Sequence, residues 1–194
     1  MLATIENLTK AFIGESQARN RYTFYSKIAK NEGYEQIAGI FSITADNEKE
    51  HAKTLFEFIR DLRAERGEKV SEITVDAIAP LTLGTTADNL RAAIAGETYE
   101  YTKMYPEFAG IAEKEGFKKI GARLRAIAKA ESHHAERYQK LLKEVEAGTL
   151  FKKEKEVQWV CRECGYVHTG KEPPELCPSC HHSRSFFEIK CETY

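Results

Sequence analysis

The 194-residue chain sets 29 Lys and Arg against 30 Asp and Glu, a formal net charge of −1, so no basic excess points to nucleic acid. That length allows one bundle-sized core plus a small appendage. No apolar run approaches the roughly 18 residues of a membrane span, and Met1-Leu2-Ala3-Thr4-Ile5-Glu6-Asn7 lacks the basic-then-apolar order of a leader, which predicts a soluble, cytoplasmic protein without membrane contact.

From Ile5 to Arg66 the chain is rich in Ala, Glu, Lys, Arg, Leu and Ile, and its apolar residues recur at helical intervals. One break, Asn31-Glu32-Gly33-Tyr34, divides the stretch into helices over 5–31 and 35–65, because Gly suits the left-handed position after a helix end. About twenty residues follow that hold Gly67, Pro80, Gly84 and Thr85-Thr86, too polar and broken for a long helix. Extended at about 3.3 Å per residue they span more than a 31-residue helix at about 1.5 Å per residue, so a crossover along the bundle is allowed. Ala87 to Ala147 repeats the first pattern. It breaks at Lys114-Glu115-Gly116-Phe117, which predicts helices over 87–114, kinked at Pro106, and 118–147.

The two halves are a duplication. Ile28, Gly33, Ile37 and His51 match Ile111, Gly116, Ile120 and His134 at an offset of 83, whereas Glu15 matches Glu97 at 82, so the second copy has gained one residue. Each copy holds a Glu-x-x-His, Glu48 with His51 and Glu131 with His134, and a glutamate 33 or 34 residues upstream, Glu15 or Glu97. Residues three apart share a helix face, and folding each hairpin at its glycine brings all six to one height. A lone Glu-x-x-His is usually a solvated face, but a matched pair with upstream glutamates describes a cage. So many buried carboxylates repel one another unless cations neutralise them, and mixed carboxylate and imidazole ligands suit iron or manganese. Glu100 shares a face with Glu97 and has only Ala18 as counterpart, which leaves it an extra ligand or a surface acid. Tyr22 and Tyr105, one or two turns from Glu15 and Glu100, either bond to ligands or pack.

After Gly148 the run Lys152-Lys153-Glu154-Lys155-Glu156 reads as a solvated linker. These breaks divide the chain into a bundle over 1–147, a linker over 148–156 and a strand-poor metal-knuckle domain over 157–194. All five cysteines lie in the last 34 residues, four as Cys161-x-x-Cys164 and Cys177-x-x-Cys180. That spacing favours one tetrahedral ion over disulfides, and by itself fits a structural zinc as well as iron. Cys191 is surplus and is expected to pack beside Phe187 and Ile189; Trp159, Tyr166 and Phe186 are expected in the small core. His133, His168, His181 and His182 fall outside the repeat.

The knuckle sequences, Trp159-Val160-Cys161-Arg162-Glu163-Cys164-Gly165-Tyr166 and Glu175-Leu176-Cys177-Pro178-Ser179-Cys180, resemble rubredoxin, a one-iron electron carrier. With the duplicated cage upstream, and with Gly-Glu-Ser-Gln-Ala-Arg-Asn-Arg-Tyr at 14–22, Asn-Glu-Lys-Glu-His-Ala-Lys at 47–53 and Met-Tyr-Pro at 104–106, nearly the whole chain resembles the rubrerythrins. The fold this implies is all-α, a ferritin-like four-helix bundle with a long crossover, plus a small rubredoxin-like domain. One departure is His181 where simple rubredoxins have Gly, which predicts a changed amide-to-sulfur hydrogen bond and a shifted potential.

The resemblance implies two irons in the cage and one at Cys161, Cys164, Cys177 and Cys180. It makes Glu48 and Glu131 bridging ligands, Glu15 and Glu97 terminal ones and His134 the holder of one iron. The other iron switches between Glu100 when oxidised and His51 when reduced. The implied activity is reduction of hydrogen peroxide to water, with electrons from rubredoxin or an NAD(P)H-dependent reductase, in a head-to-tail homodimer. The rival reading is a ferroxidase or iron-storage protein, and a further one a zinc-ribbon interaction module.

Overall fold

The computed structural model describes residues 2–68 and 71–192. Helices α1 (Ala3–Asn31) and α2 (Glu35–Glu65) form one hairpin. The second comprises α3 (Thr86–Tyr99), a π turn (Glu100–Met104), α4 (Tyr105–Lys114) and α5 (Lys118–Ala147). Both hairpins turn alike. Gly33 and Gly116 have φ of 83° and 93°, and the next amides, Tyr34 N–H and Phe117 N–H, bond back to Ala29 O and Ala112 O at 2.8 Å, closing each helix with a glycine cap.

Each turn also caps the other hairpin. Leu2 offers α1 no side-chain cap, but the Glu115 carboxylate accepts from Ala3 N–H and Thr4 N–H at 3.1 and 2.9 Å. Its counterpart Glu32 accepts from Thr86 N–H at 3.0 Å, beside a capping box of Thr85 and Asp88. These contacts place the start of α3 at the α1–α2 turn and the α4–α5 turn at the start of α1. Residues 71–85 therefore run back along the bundle as a strap, the crossover expected above.

Near Pro106, where a kink is expected, the helix is interrupted by a π turn just before the proline. Proline has no N–H to donate and its ring would strike the carbonyl four residues earlier; a wider turn moves that carbonyl away. The π turn also absorbs the extra residue of the second copy. At about 100° per residue, Glu15 and Tyr22 return to one face after seven residues, whereas eight would rotate Tyr105 by about 80° from Glu97. The surplus disappears in the turn.

Two apolar clusters fill the bundle, one around Ile5, Leu8, Leu55, Ile59, Tyr105 and Leu124, the other around Tyr22, Tyr25, Phe41, Leu90 and Tyr138. Between them lies a buried polar layer of Glu15, Glu48, Glu97, Glu131 and His134.

The small domain is an antiparallel sheet of β1 (Val157–Cys161), β2 (Val167–Gly170) and β3 (Phe187–Ile189), ordered β2-β1-β3. It carries more strand than the knuckle spacing suggested. Trp159, Tyr166 and Phe186 do form or flank its core, whereas Cys191 is exposed rather than packed, since it lies beyond the last strand. The joint to the bundle is anchored: Leu150 is buried and Phe151 stacks on Tyr34 with ring centroids 6.3 Å apart. The domain folds back onto α2, where the Arg162 guanidinium occupies the space a side chain at Gly39 would need.

Candidate metal centre

Glu15 from α1, Glu48 and His51 from α2, Glu97 from α3, and Glu131 and His134 from α5 meet at mid-bundle. Ligand atoms of Glu15, Glu48, His51 and Glu131 all lie within 4.8 Å of one another, as do those of Glu48, Glu97, Glu131 and His134. Glu48 and Glu131 belong to both quartets. His51 Nδ1 is 2.9 Å from Glu48 Oε2 and 2.9 Å from Glu131 Oε1. His134 Nδ1 is 2.9 Å from Glu131 Oε2, 3.2 Å from Glu48 Oε1 and 3.4 Å from Glu97 Oε2.

Apart from the hydrogen bond that His51 Nδ1 shares with Glu48 Oε2, closeness here is not hydrogen bonding. Glu15 Oε2, Glu48 Oε1, Glu97 Oε2, both Glu131 oxygens and His134 Nδ1 are buried without a hydrogen-bonded partner. Atoms converging in this way without donor geometry are what a pair of cations would satisfy. Protonation carries the load otherwise. Burial pushes Glu15 well above the usual carboxylate range, helped by Glu100, Glu48 and Glu131, and burial raises Glu97 to about 8. For Glu48 burial acts upward, yet His134 and His51 outweigh it and hold the carboxyl below its usual value. Burial would lower both histidines, but facing carboxylates raise His51 to about 9 and His134 to about 12. Metal binding must displace these protons.

Glu100 sits half-buried on the π turn and joins neither quartet. Desolvation, then Glu97, Glu131 and Glu48, push its carboxyl well up. The two tyrosines pair crosswise: Tyr22 O–H donates to Glu97 Oε1 and Tyr105 O–H to Glu15 Oε1. Each takes one oxygen of a glutamate of the opposite hairpin and leaves Oε2 free.

In the small domain Cys161 and Cys180 sulfurs lie 3.8 Å apart and those of Cys164 and Cys177 3.6 Å. A disulfide needs about 2.0 Å, whereas four sulfurs held about 2.3 Å from a central ion stand about 3.8 Å apart. The Tyr166 amide draws Cys164 down to about 6. The His182 amide bonds to Cys180, although burial and the neighbouring sulfurs carry that thiol up to about 12. The amide bond expected to change at His181 is thus kept, because His181 takes a left-handed φ of 61°, matching Gly165 at 76° in the first knuckle.

His133 and His181 are exposed, and His168 and His182 half-buried, outside the cage. Sequence reasoning missed a cleft of about 340 Å³ lined by Glu50, His51, Thr54, Arg123, Ala126 and Ile127. It also missed the Arg162 seat on Gly39. Neither follows a spacing rule, since both are made by residues of separate elements.

A ferritin-like bundle whose cage fits two irons, joined to a four-cysteine site that fits one, defines a class of di-iron proteins with an electron-transfer domain of their own. The chain belongs to the rubrerythrin family. The rubrerythrin family model matches residues 6–142 and that for the rubrerythrin rubredoxin-like domain residues 159–188. A putative rubrerythrin of Methanocaldococcus jannaschii is 63% identical, over 100% of this chain and 96% of the relative. The rubrerythrin of Porphyromonas gingivalis is 53% identical, over 95% and 88%. Among solved structures, fully reduced nigerythrin aligns with a TM-score of 0.63 at 32% identity, over 98% of this chain and 88% of that one. No helix among the described residues is long and apolar enough to cross a membrane.

Proposed function

We propose that the chain is a peroxidase that reduces hydrogen peroxide to water at the carboxylate and histidine cage, drawing electrons through its four-cysteine iron. The observation that carries this reading is the seating of a one-electron site on the bundle that holds a two-electron site: storage or oxidation of iron needs no such input. Rubredoxin or an NAD(P)H-dependent reductase is the proposed donor, and the cytoplasm the proposed compartment. The division of labour is a cage in 1–147, a joint in 148–156 and an electron site in 157–194.

Glu48 and Glu131, common to both quartets, are the proposed bridging ligands, Glu15 and Glu97 the terminal ones, and His134 the partner of one ion. His51 would serve the other when it is reduced and Glu100 when it is oxidised. Two ferrous ions would supply together the two electrons that peroxide needs, without release of a hydroxyl radical. Tyr22 and Tyr105 keep their protons, since burial and nearby carboxylates push both hydroxyls well above the usual phenol range. Each therefore stays a donor that orients a terminal glutamate. His51 is the cage member nearest solvent, its side chain 16% exposed against 4% or less for the glutamates of the quartets and His134. The cleft beside it, about 340 Å³, is the proposed approach for a small oxidant.

A homodimer is the proposed assembly, supported by Ile78 and Leu81 of the strap, 88% and 89% exposed, an apolar surface that a second copy would cover. The peroxidase reading is tested by reducing the iron-loaded protein anaerobically and mixing it with hydrogen peroxide or with oxygen. Reoxidation is expected to be faster with peroxide. Fast reaction with oxygen and little with peroxide would refute it in favour of iron oxidation.

A further inference from the structure

The iron complement amounts to three one-electron centres per chain, two in the cage and one at the cysteines, whereas peroxide takes electrons in pairs. A fully reduced chain cut off from its donor therefore reduces one peroxide completely and keeps a single electron. The next peroxide meets a chain one electron short, and its cleavage by that electron alone would release a hydroxyl radical inside the protein.

Two phenols touch the cage, and their surroundings differ. Tyr105 donates to Glu15, and no ring contact joins it to another aromatic among the described residues. Tyr22 donates to Glu97, and its ring centroid lies 6.0 Å from Tyr25, 5.9 Å from Phe41 and 5.7 Å from Tyr138. Tyr25 and Phe41 are 5.5 Å apart, and Tyr25 O–H donates to Thr82 O of the strap at 2.8 Å. A continuous buried aromatic array thus leads from a cage glutamate to the underside of the strap. Losing an electron makes a phenol strongly acidic, so it needs a proton acceptor already in place. Glu97 Oε1 is one.

We infer that Tyr22 is a reserve electron donor, which supplies the missing electron when peroxide meets a chain holding only one. The inference rests on the peroxide-reducing reading. In the step the O–O bond breaks, the remaining ferrous ion gives one electron and becomes ferric, and Tyr22 gives the second. The phenolic proton passes to Glu97 Oε1, and it and one proton from solvent complete two waters. Tyr22 is left as a neutral phenoxyl radical, which Tyr25 or Tyr138 can share until donor electrons return.

The experiment mixes the fully reduced, iron-loaded protein with excess hydrogen peroxide in the absence of donor and records electron paramagnetic resonance on freeze-quenched samples. An organic radical is expected whose hyperfine pattern narrows when the tyrosine rings are deuterated, retained in a variant of the exposed Tyr99, Tyr99→Phe, and lost in Tyr22→Phe. Peptide mapping of the natural chain should find oxidised or cross-linked product at Tyr22, Tyr25 or Tyr138, and this decides the matter should Tyr22→Phe fail to load iron. Peroxide consumed without an organic radical, or a radical undiminished in Tyr22→Phe, or oxidation confined to other tyrosines, overturns the inference and leaves the peroxide reading standing. Peroxide left unconsumed by the reduced protein overturns both.

Discussion

Glu131 presents two buried oxygens to the centre of the cage, and without cations His51 and His134 are the positive charges that face it, each with Nδ1 2.9 Å from one of those oxygens. Glu131→Gln is therefore expected to destabilise the metal-free protein by about 3 kcal/mol, because it leaves a buried imidazolium without its partner. Its iron content should fall from three towards the one at the cysteines. The stabilisation by cage iron, about 2.7 kcal/mol for a site filled at a hundred times its Kd, should disappear while that from the cysteine iron stays; iron per chain and thermal unfolding with and without iron check both. At this scale the sequence was informative where chemistry follows spacing, as for the Glu-x-x-His pairs and the Cys-x-x-Cys knuckles. It left Tyr22 and Tyr105 open between bonding to ligands and packing, because their crosswise partners belong to the opposite hairpin, and it left Glu100 open between ligand and surface acid.

The two halves are tied to each other at their turns, and Glu115 illustrates the bond. Its carboxylate stands in for the missing cap of α1, so Glu115→Ala is expected to cost about 1 kcal/mol in urea unfolding, as helix caps do. Its bonds to Thr4 and Ala3, with burial opposing, hold its pKa below the ordinary 4.5. A lowered folded value means the contribution is complete above about pH 4.5 and is lost as pH falls through that lower value. The gap between natural chain and variant should therefore close in acid; a gap that widened would refute the cap. The breaks at Gly33 and Gly116 were legible because only certain residues end a helix that way. The π turn was half legible: the gained residue and Pro106 were both visible, but the usual reading of proline as a kink hid the widened turn that accommodates them together.

The seating of the small domain belongs to the whole molecule. The length of α5 after His134 carries the chain away from the cage. Past its end the chain turns at Leu150 and Phe151, and Arg162 rests on α2 at Gly39, nine residues or about 14 Å along the helix from Glu48 at about 1.5 Å per residue. Nothing in the spacing of Gly39 or Arg162 announces the contact. Gly39→Leu would fill the guanidinium's place while improving helix propensity by up to about 1 kcal/mol. The bundle should stay folded with iron at both sites, and electron transfer from cysteine iron to cage should slow several-fold in stopped-flow spectra. An unchanged rate would mean that the docked pose does not serve transfer.

Two identical hairpins meeting about a twofold axis could acquire an extra residue only in duplicate, once in each copy. Joined in one polypeptide by the strap, one copy could take it alone, and Glu100 stands on the turn that resulted. The two halves of the cage thereby ceased to be interchangeable: one hairpin carries a further carboxylate, and the other has Ala18 at that place. A reaction at such a pair has a front and a back, which no symmetric ancestor could have offered it.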